Sequence, residues 1–148
     1  MPDVLIVYSV LQWPPVRTIR DSLYSFERHS QARCWYLNLG VRRVPWWLRR
    51  VRFDAVIFHN TFLWDRVNPP LMQRHVRKLH RLQGVGTRRV ALPQDEHLHS
   101  RALVRLFSEL VIDHVFSLGP ESEWDKLYQG LDRSRIKMPR APDRVFCA

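Results

Sequence analysis

Two periods of apolar residues alternate along this chain. Apolar-rich runs at 4–8 (VLIVY), 34–37 (CWYL), 53–58 (FDAVIF), 88–92 (RRVAL) and 114–117 (HVFS) are separated by segments in which apolar residues recur every three or four positions. The first run has no polar face at all, which is the pattern of a strand buried on both sides in a parallel sheet. Between the runs, Val16, Ile19, Leu23 and Phe26 set the inner face of a first helix, with Pro15 at its entry. Leu71, Met72, His75, Val76, Leu79 and Leu82 predict a second helix over 70–82, closed by Gly84. Leu103, Leu106, Phe107 and Leu110 give a third, and Trp124, Leu127, Tyr128 and Leu131 a fourth. The fourth is entered at Gly119-Pro120, with Glu121 and Glu123 in its first turn.

Five strands alternating with helices predict an α/β domain, a Rossmann-like three-layer sandwich around a mainly parallel sheet of five or more strands, with the first strand in its interior. At 148 residues there is room for one such domain, assigned to residues 1–132. Residues 133–148 are basic, contain prolines and lack a period, and are expected to form a tail or a partner-docked segment. No apolar run approaches the roughly 20 residues of a membrane span. Met1-Pro2-Asp3 leads directly into the first strand without a basic leader, which argues for a cytoplasmic protein. Cys34 and Cys147 stand far apart with no metal-ligand spacing, so they are expected to be reduced thiols, and neither a metal nor a cofactor is expected.

Charge adds a preference for polyanions. Lys and Arg number 24 against 14 Asp and Glu, a formal net charge of +10. The basic residues concentrate where Arg42, Arg43, Arg49, Arg50 and Arg52 flank the paired Trp46 and Trp47. This mixture suits a lipid headgroup interface, at the inner face of the membrane for a cytoplasmic protein, and also suits stacking on nucleic acid. Tryptophans packed on the sheet edge under a solvated arginine rim would give the same composition. Arg74, Arg77, Lys78 and Arg81 fall on the solvent face of the second helix.

Ligands of open α/β sheets bind outside the carboxyl ends of the strands, so the residues just past each run are the candidates. They are Ser9, His59, Asn60, Thr61, Gln94, Asp95, Glu96, Ser117 and Glu121. Adjacent carboxylates at Asp95 and Glu96 would raise one pKa and supply a general base, or one of them caps the following helix. His59 is either a base or a hydrogen-bonded strand-end residue. No G-x-G-x-x-G or phosphate-loop motif follows the first strand, which argues against a free-standing nucleotide site.

The segments 18–26 (TIRDSLYSF), 53–62 (FDAVIFHNTF), 91–96 (ALPQDE) and 113–124 (DHVFSLGPESEW) resemble the amino-terminal domain of bacterial GT-B glycosyltransferases of the family-4-like kind, over roughly residues 1–130. The resemblance implies the half of a two-domain enzyme that binds a sugar acceptor, with a nucleotide-sugar donor held by a carboxyl-terminal domain or partner subunit. It further implies that Gln94, Asp95, Glu96, His59 and Asn60 line the interdomain cleft, with Asp95 or His59 as base, and that the isolated chain is inactive. The competing reading is a non-catalytic module of the same fold that binds nucleic acid or another polyanion, or acts in regulation.

Overall fold

The computed structural model describes residues 1–41, 43–82 and 88–139. Five strands, β1 (Asp3–Tyr8), β2 (Arg33–Asn38), β3 (Ala55–Phe58), β4 (Arg88–Ala91) and β5 (His114–Val115), form one sheet in the order β2-β1-β3-β4-β5, every pair parallel. The apolar run at 4–8 thus lies inside the sheet, as its pattern predicts. Because β1 has β2 on one side and β3 on the other, the chain reverses its lateral direction there, and the carboxyl ends of β1 and β3 flank the switch point.

The helices are α1 (Arg17–His29), α2 (Asn60–Trp64), α3 (Pro69–Leu79), α4 (Ser100–Glu109) and α5 (Trp124–Leu127). Side chains on β1 divide the core into two layers. Leu5 and Val7 face one way, into a large cluster with Phe53, Val56, Phe58, Phe62, Met72, Val76, Leu103, Phe107, Val115 and Trp124. Ile6 and Tyr8 face the other way, onto Leu23, Ile19 and Phe26 of α1. Among the described residues α1 alone covers that second face. Val90 and His114, in register with Ile57, are only half-buried, as are Leu92 and Phe116 beyond them.

Three elements differ from the sequence expectation. A short helix, α2, starts at once after β3, so Asn60 and Thr61 belong to its first turn and not to an open loop. The helix predicted over 70–82 runs as α3 and finishes in a 3-10 turn, His80–Leu82, while Gly84 lies outside the described residues. The helix after Gly119 shrinks to a 3-10 turn, Glu121–Glu123, and the single turn α5. Residues 133–139 are not a free tail. The Lys137 carbonyl accepts from Val115 N–H and its own N–H donates to the Asp113 carbonyl, a parallel bridge on the edge of β5. Residues 140–148, including Cys147, lie outside the described residues; Cys34 is a free, half-buried thiol. No helix among the described residues is long and apolar enough to cross a membrane.

Candidate functional site

The polar residues at the carboxyl ends separate into two hydrogen-bonded groups. In the first, at β1 and β3, His59 is the N-cap of α2 and only 1% exposed. Its Nδ1 accepts from the Thr61 backbone N–H at 3.3 Å and lies 3.0 Å from the Thr61 hydroxyl, while Nε2 lies 3.1 Å from the Ser22 hydroxyl on α1. An accepting Nδ1 places the ring proton on Nε2, so Nε2 donates to Ser22 and the Thr61 hydroxyl donates to Nδ1. Thr61 Oγ1 in turn accepts from Ser9 N–H at 3.3 Å. The chain Ser9, Thr61, His59, Ser22 ties β1 to β3 and to α1.

Burial pulls the His59 imidazole down to about 4, so it is neutral near pH 7. In the unfolded chain the ring takes up a proton near its ordinary 6.5, which the folded chain refuses until about 4. Its contribution to stability is therefore complete above about pH 6.5 and is lost as the pH falls through that window, by about 3 kcal/mol at 1.36 kcal/mol per pH unit. Asparagine keeps a capping oxygen without titrating. Urea unfolding of His59→Asn should accordingly show a flatter rise in stability between pH 4 and pH 6.5 than the parent; identical slopes would contradict this assignment.

Beside this group, Asn38 ends β2 as a clamp. Its Oδ1 accepts from Val10 N–H and Gly40 N–H, both at 3.0 Å, and its Nδ2 donates to the Val10 carbonyl at 2.8 Å. The backbones approach so closely that a Cβ on Gly40 would lie 2.9 Å from the Val10 oxygen.

The second group joins β4 to β5. Glu96 is 4% exposed: one carboxylate oxygen accepts from the Ser117 hydroxyl at 2.6 Å, the other from Leu118 N–H at 2.6 Å and Gly119 N–H at 3.2 Å. Burial pushes its carboxyl up, opposed by these donors and by the charge of Arg66. Arg66, 3% exposed, donates to the carbonyls of Leu98, Leu63, Gln94 and Asp95 at 2.9–3.1 Å. The post-β4 loop is thus fixed from below by a guanidinium and from the side by Glu96.

That anchoring leaves Asp95 outside. It is exposed, in the left-handed region at φ 48°, which Asp tolerates better than most side chains. Its carboxylate makes no hydrogen bond to a described residue. Neither acid caps α4, whose N-cap is His99 without a side-chain bond, so the capping alternative is corrected: the helix begins four residues past Glu96, beyond reach of both carboxylates.

Gln94 is exposed beside Asp95, and Glu121 is exposed in the 3-10 turn before α5, whereas Ser117 is buried under Glu96. Asn60 Oδ1 is buried without a partner among the described residues, an acceptor that costs about 1–3 kcal/mol to leave unmet. No hydrogen bond links His59 to Asp95 or Glu96 among the described residues. Asn38, Ser22 and Arg66 are organising residues that the strand-end argument did not single out. Arg66 had a signal, since it follows Phe62 and Leu63 at helical spacing and so puts a cation on an apolar face.

The basic and aromatic stretch crosses the large-cluster face as a 3-10 turn, Trp46–Arg50, pinned by buried Leu48. Trp46 is 68% exposed with the Arg50 guanidinium 4.9 Å from its ring centre, and Trp47 is 40% exposed with its ring 5.8 Å from Trp35. Arg43, Arg49 and Arg52 are exposed; Arg42 lies outside the described residues. No protein family, curated protein or solved structure matches this chain.

Proposed function

We propose that this chain is the acceptor-binding half of a sugar-transfer enzyme, that a further domain or partner subunit holds the nucleotide-sugar donor, and that Asp95 is the general base. The contrast among the three titratable candidates carries the reading. His59 and Glu96 are buried with their polar atoms engaged, whereas Asp95 stands exposed, its carboxylate without a hydrogen bond among the described residues, on a loop that Arg66 and Glu96 hold rigid. A base must be free to reach the proton it takes, and a fixed backbone keeps it aimed.

Two further features support the division of labour. The loop at 9–15 contains no glycine and so offers no ready cradle for a donor's phosphates. Exposed apolar side chains stand on the segments after every strand: Leu11 and Trp13, Val41, Trp64 at the end of α2, Leu98 and Leu118. Such a rim suits burial beneath a second body that closes over the crevice. The exposed Trp46 and Trp47 among arginines support contact with an anionic membrane surface, where aromatic rings sit at headgroup level and cations meet the surface potential.

One observation favours the non-catalytic alternative: two of the three acid–base candidates act as staples, His59 onto α1 and Glu96 between the segments after β4 and β5, which a binding module needs as much as an enzyme does. The test is titration of the chain with oligosaccharides and with sugar nucleotides. Saturable binding of an acceptor, with no turnover of any sugar nucleotide, is expected. Transfer or hydrolysis by the chain alone would overturn the proposal.

A further inference from the structure

We propose that Arg43, Arg74 and Lys78 form a binding site for a phosphomonoester group on the flank that carries the tryptophan turn. Where that group is a lipid headgroup, the inference rests on the membrane reading above. Lys78 lies on α3 and donates to the Leu39 carbonyl, just past the end of β2, at 2.8 Å. This bond draws the ammonium to the start of the stretch that continues through Arg43. Arg74 is one helical turn earlier on α3, on the same side as Lys78. The Trp46–Arg50 turn packs against His80–Leu82, directly beyond the end of α3, so the cations and tryptophans occupy one continuous flank.

None of Arg43, Arg49, Arg50, Arg52, Arg74 and Lys78 forms an ion pair with a described residue. Partial burial lowers the Lys78 pKa, and so do the charges of Arg74 and Arg43, which places the three cations within each other's field. Like charges gathered without a carboxylate repel one another, and a bound anion removes that cost. Lys78 retains two N–H groups after its bond to Leu39, and each arginine offers a fork of donors. A phosphomonoester carries about −1.5 to −2 charge at pH 7 and three acceptor oxygens, one face for each cation. A phosphodiester, with a single charge and two free oxygens, satisfies the cluster less well.

The experiment uses phosphatidylcholine vesicles doped with phosphatidic acid or with phosphatidylglycerol, matched in surface potential, alongside calorimetric titration with inorganic phosphate. About tenfold tighter binding to the phosphatidic acid vesicles is expected. Arg74→Gln and Lys78→Met should each abolish that preference while leaving salt-sensitive binding to phosphatidylglycerol, which Trp46→Ala should weaken. Arg74 is exposed, so its variant reports on the site even if loss of the Lys78 bond perturbs the fold. Equal affinity for the two vesicles, or a preference that survives both variants, would overturn the site. Saturable binding of inorganic phosphate, lost in Arg74→Gln, with no binding to either vesicle would overturn the membrane reading instead and assign the site to a soluble phosphorylated ligand.

Discussion

On the proposed assignment, Asp95→Asn, assayed together with a donor-binding half, is expected to lower kcat by about 100-fold to 10,000-fold, the range for loss of a general base. The substitution is matched to the local geometry. Asn tolerates the left-handed backbone at φ 48° at least as well as Asp, and the carboxylate it replaces makes no hydrogen bond to a described residue. Unfolding free energy should therefore stay within about 0.5 kcal/mol of the parent. A kinetic loss without a stability loss is the signature of a residue that acts on substrate. If unfolding shifts while turnover survives, Asp95 serves the loop and the base lies elsewhere.

Arg66→Met is expected to do the reverse. Removing the guanidinium strips donors from four carbonyls, those of Leu63, Gln94, Asp95 and Leu98, and leaves buried Glu96 without its nearby positive charge. Breaking a buried charged network by deleting one partner costs about 3–5 kcal/mol. For a domain of this length that lowers Tm by roughly 10 °C. Methionine fills much of the volume, so the loss reads the hydrogen bonds more than a cavity. A thermal shift of less than about 2 °C would show that the post-β4 loop holds its shape without Arg66. Together the two variants would separate a residue that acts on substrate from one that holds the loop.

The sheet was legible in the sequence because strands buried on both faces must be apolar throughout, and 4–8 is such a run. The same logic misses how unevenly the two faces are covered. Val90 and Leu92 are as apolar as Leu5 and Val7, yet they are half-buried on a face that α1 shares with no other described helix. Helix coverage depends on crossover direction, which no local pattern encodes.

At the site, sequence position located the strand-end residues but not where their side chains turn. His59, Glu96 and Ser117 turn inward because the loops around them present N–H groups and hydroxyls that need partners, and a polar side chain just past a strand is the nearest supply. Asp95 escapes because its backbone carbonyl, and not its carboxylate, is what Arg66 grips. Adjacent acids therefore differ in role through contacts made 20 to 30 residues away in sequence, which adjacency alone leaves undetermined.

The proposed acceptor site lies at the carboxyl ends of β1, β3 and β4. Amide chemical-shift mapping of the chain during titration with oligosaccharide acceptors tests it most directly. Shifts concentrated at Ser9, Asn60, Thr61, Gln94 and Asp95, weakened in Asn60→Ala, which removes the Oδ1 acceptor, are the predicted result. Shifts confined to the Trp46–Arg50 turn, or a response to sugar nucleotides alone, would contradict it.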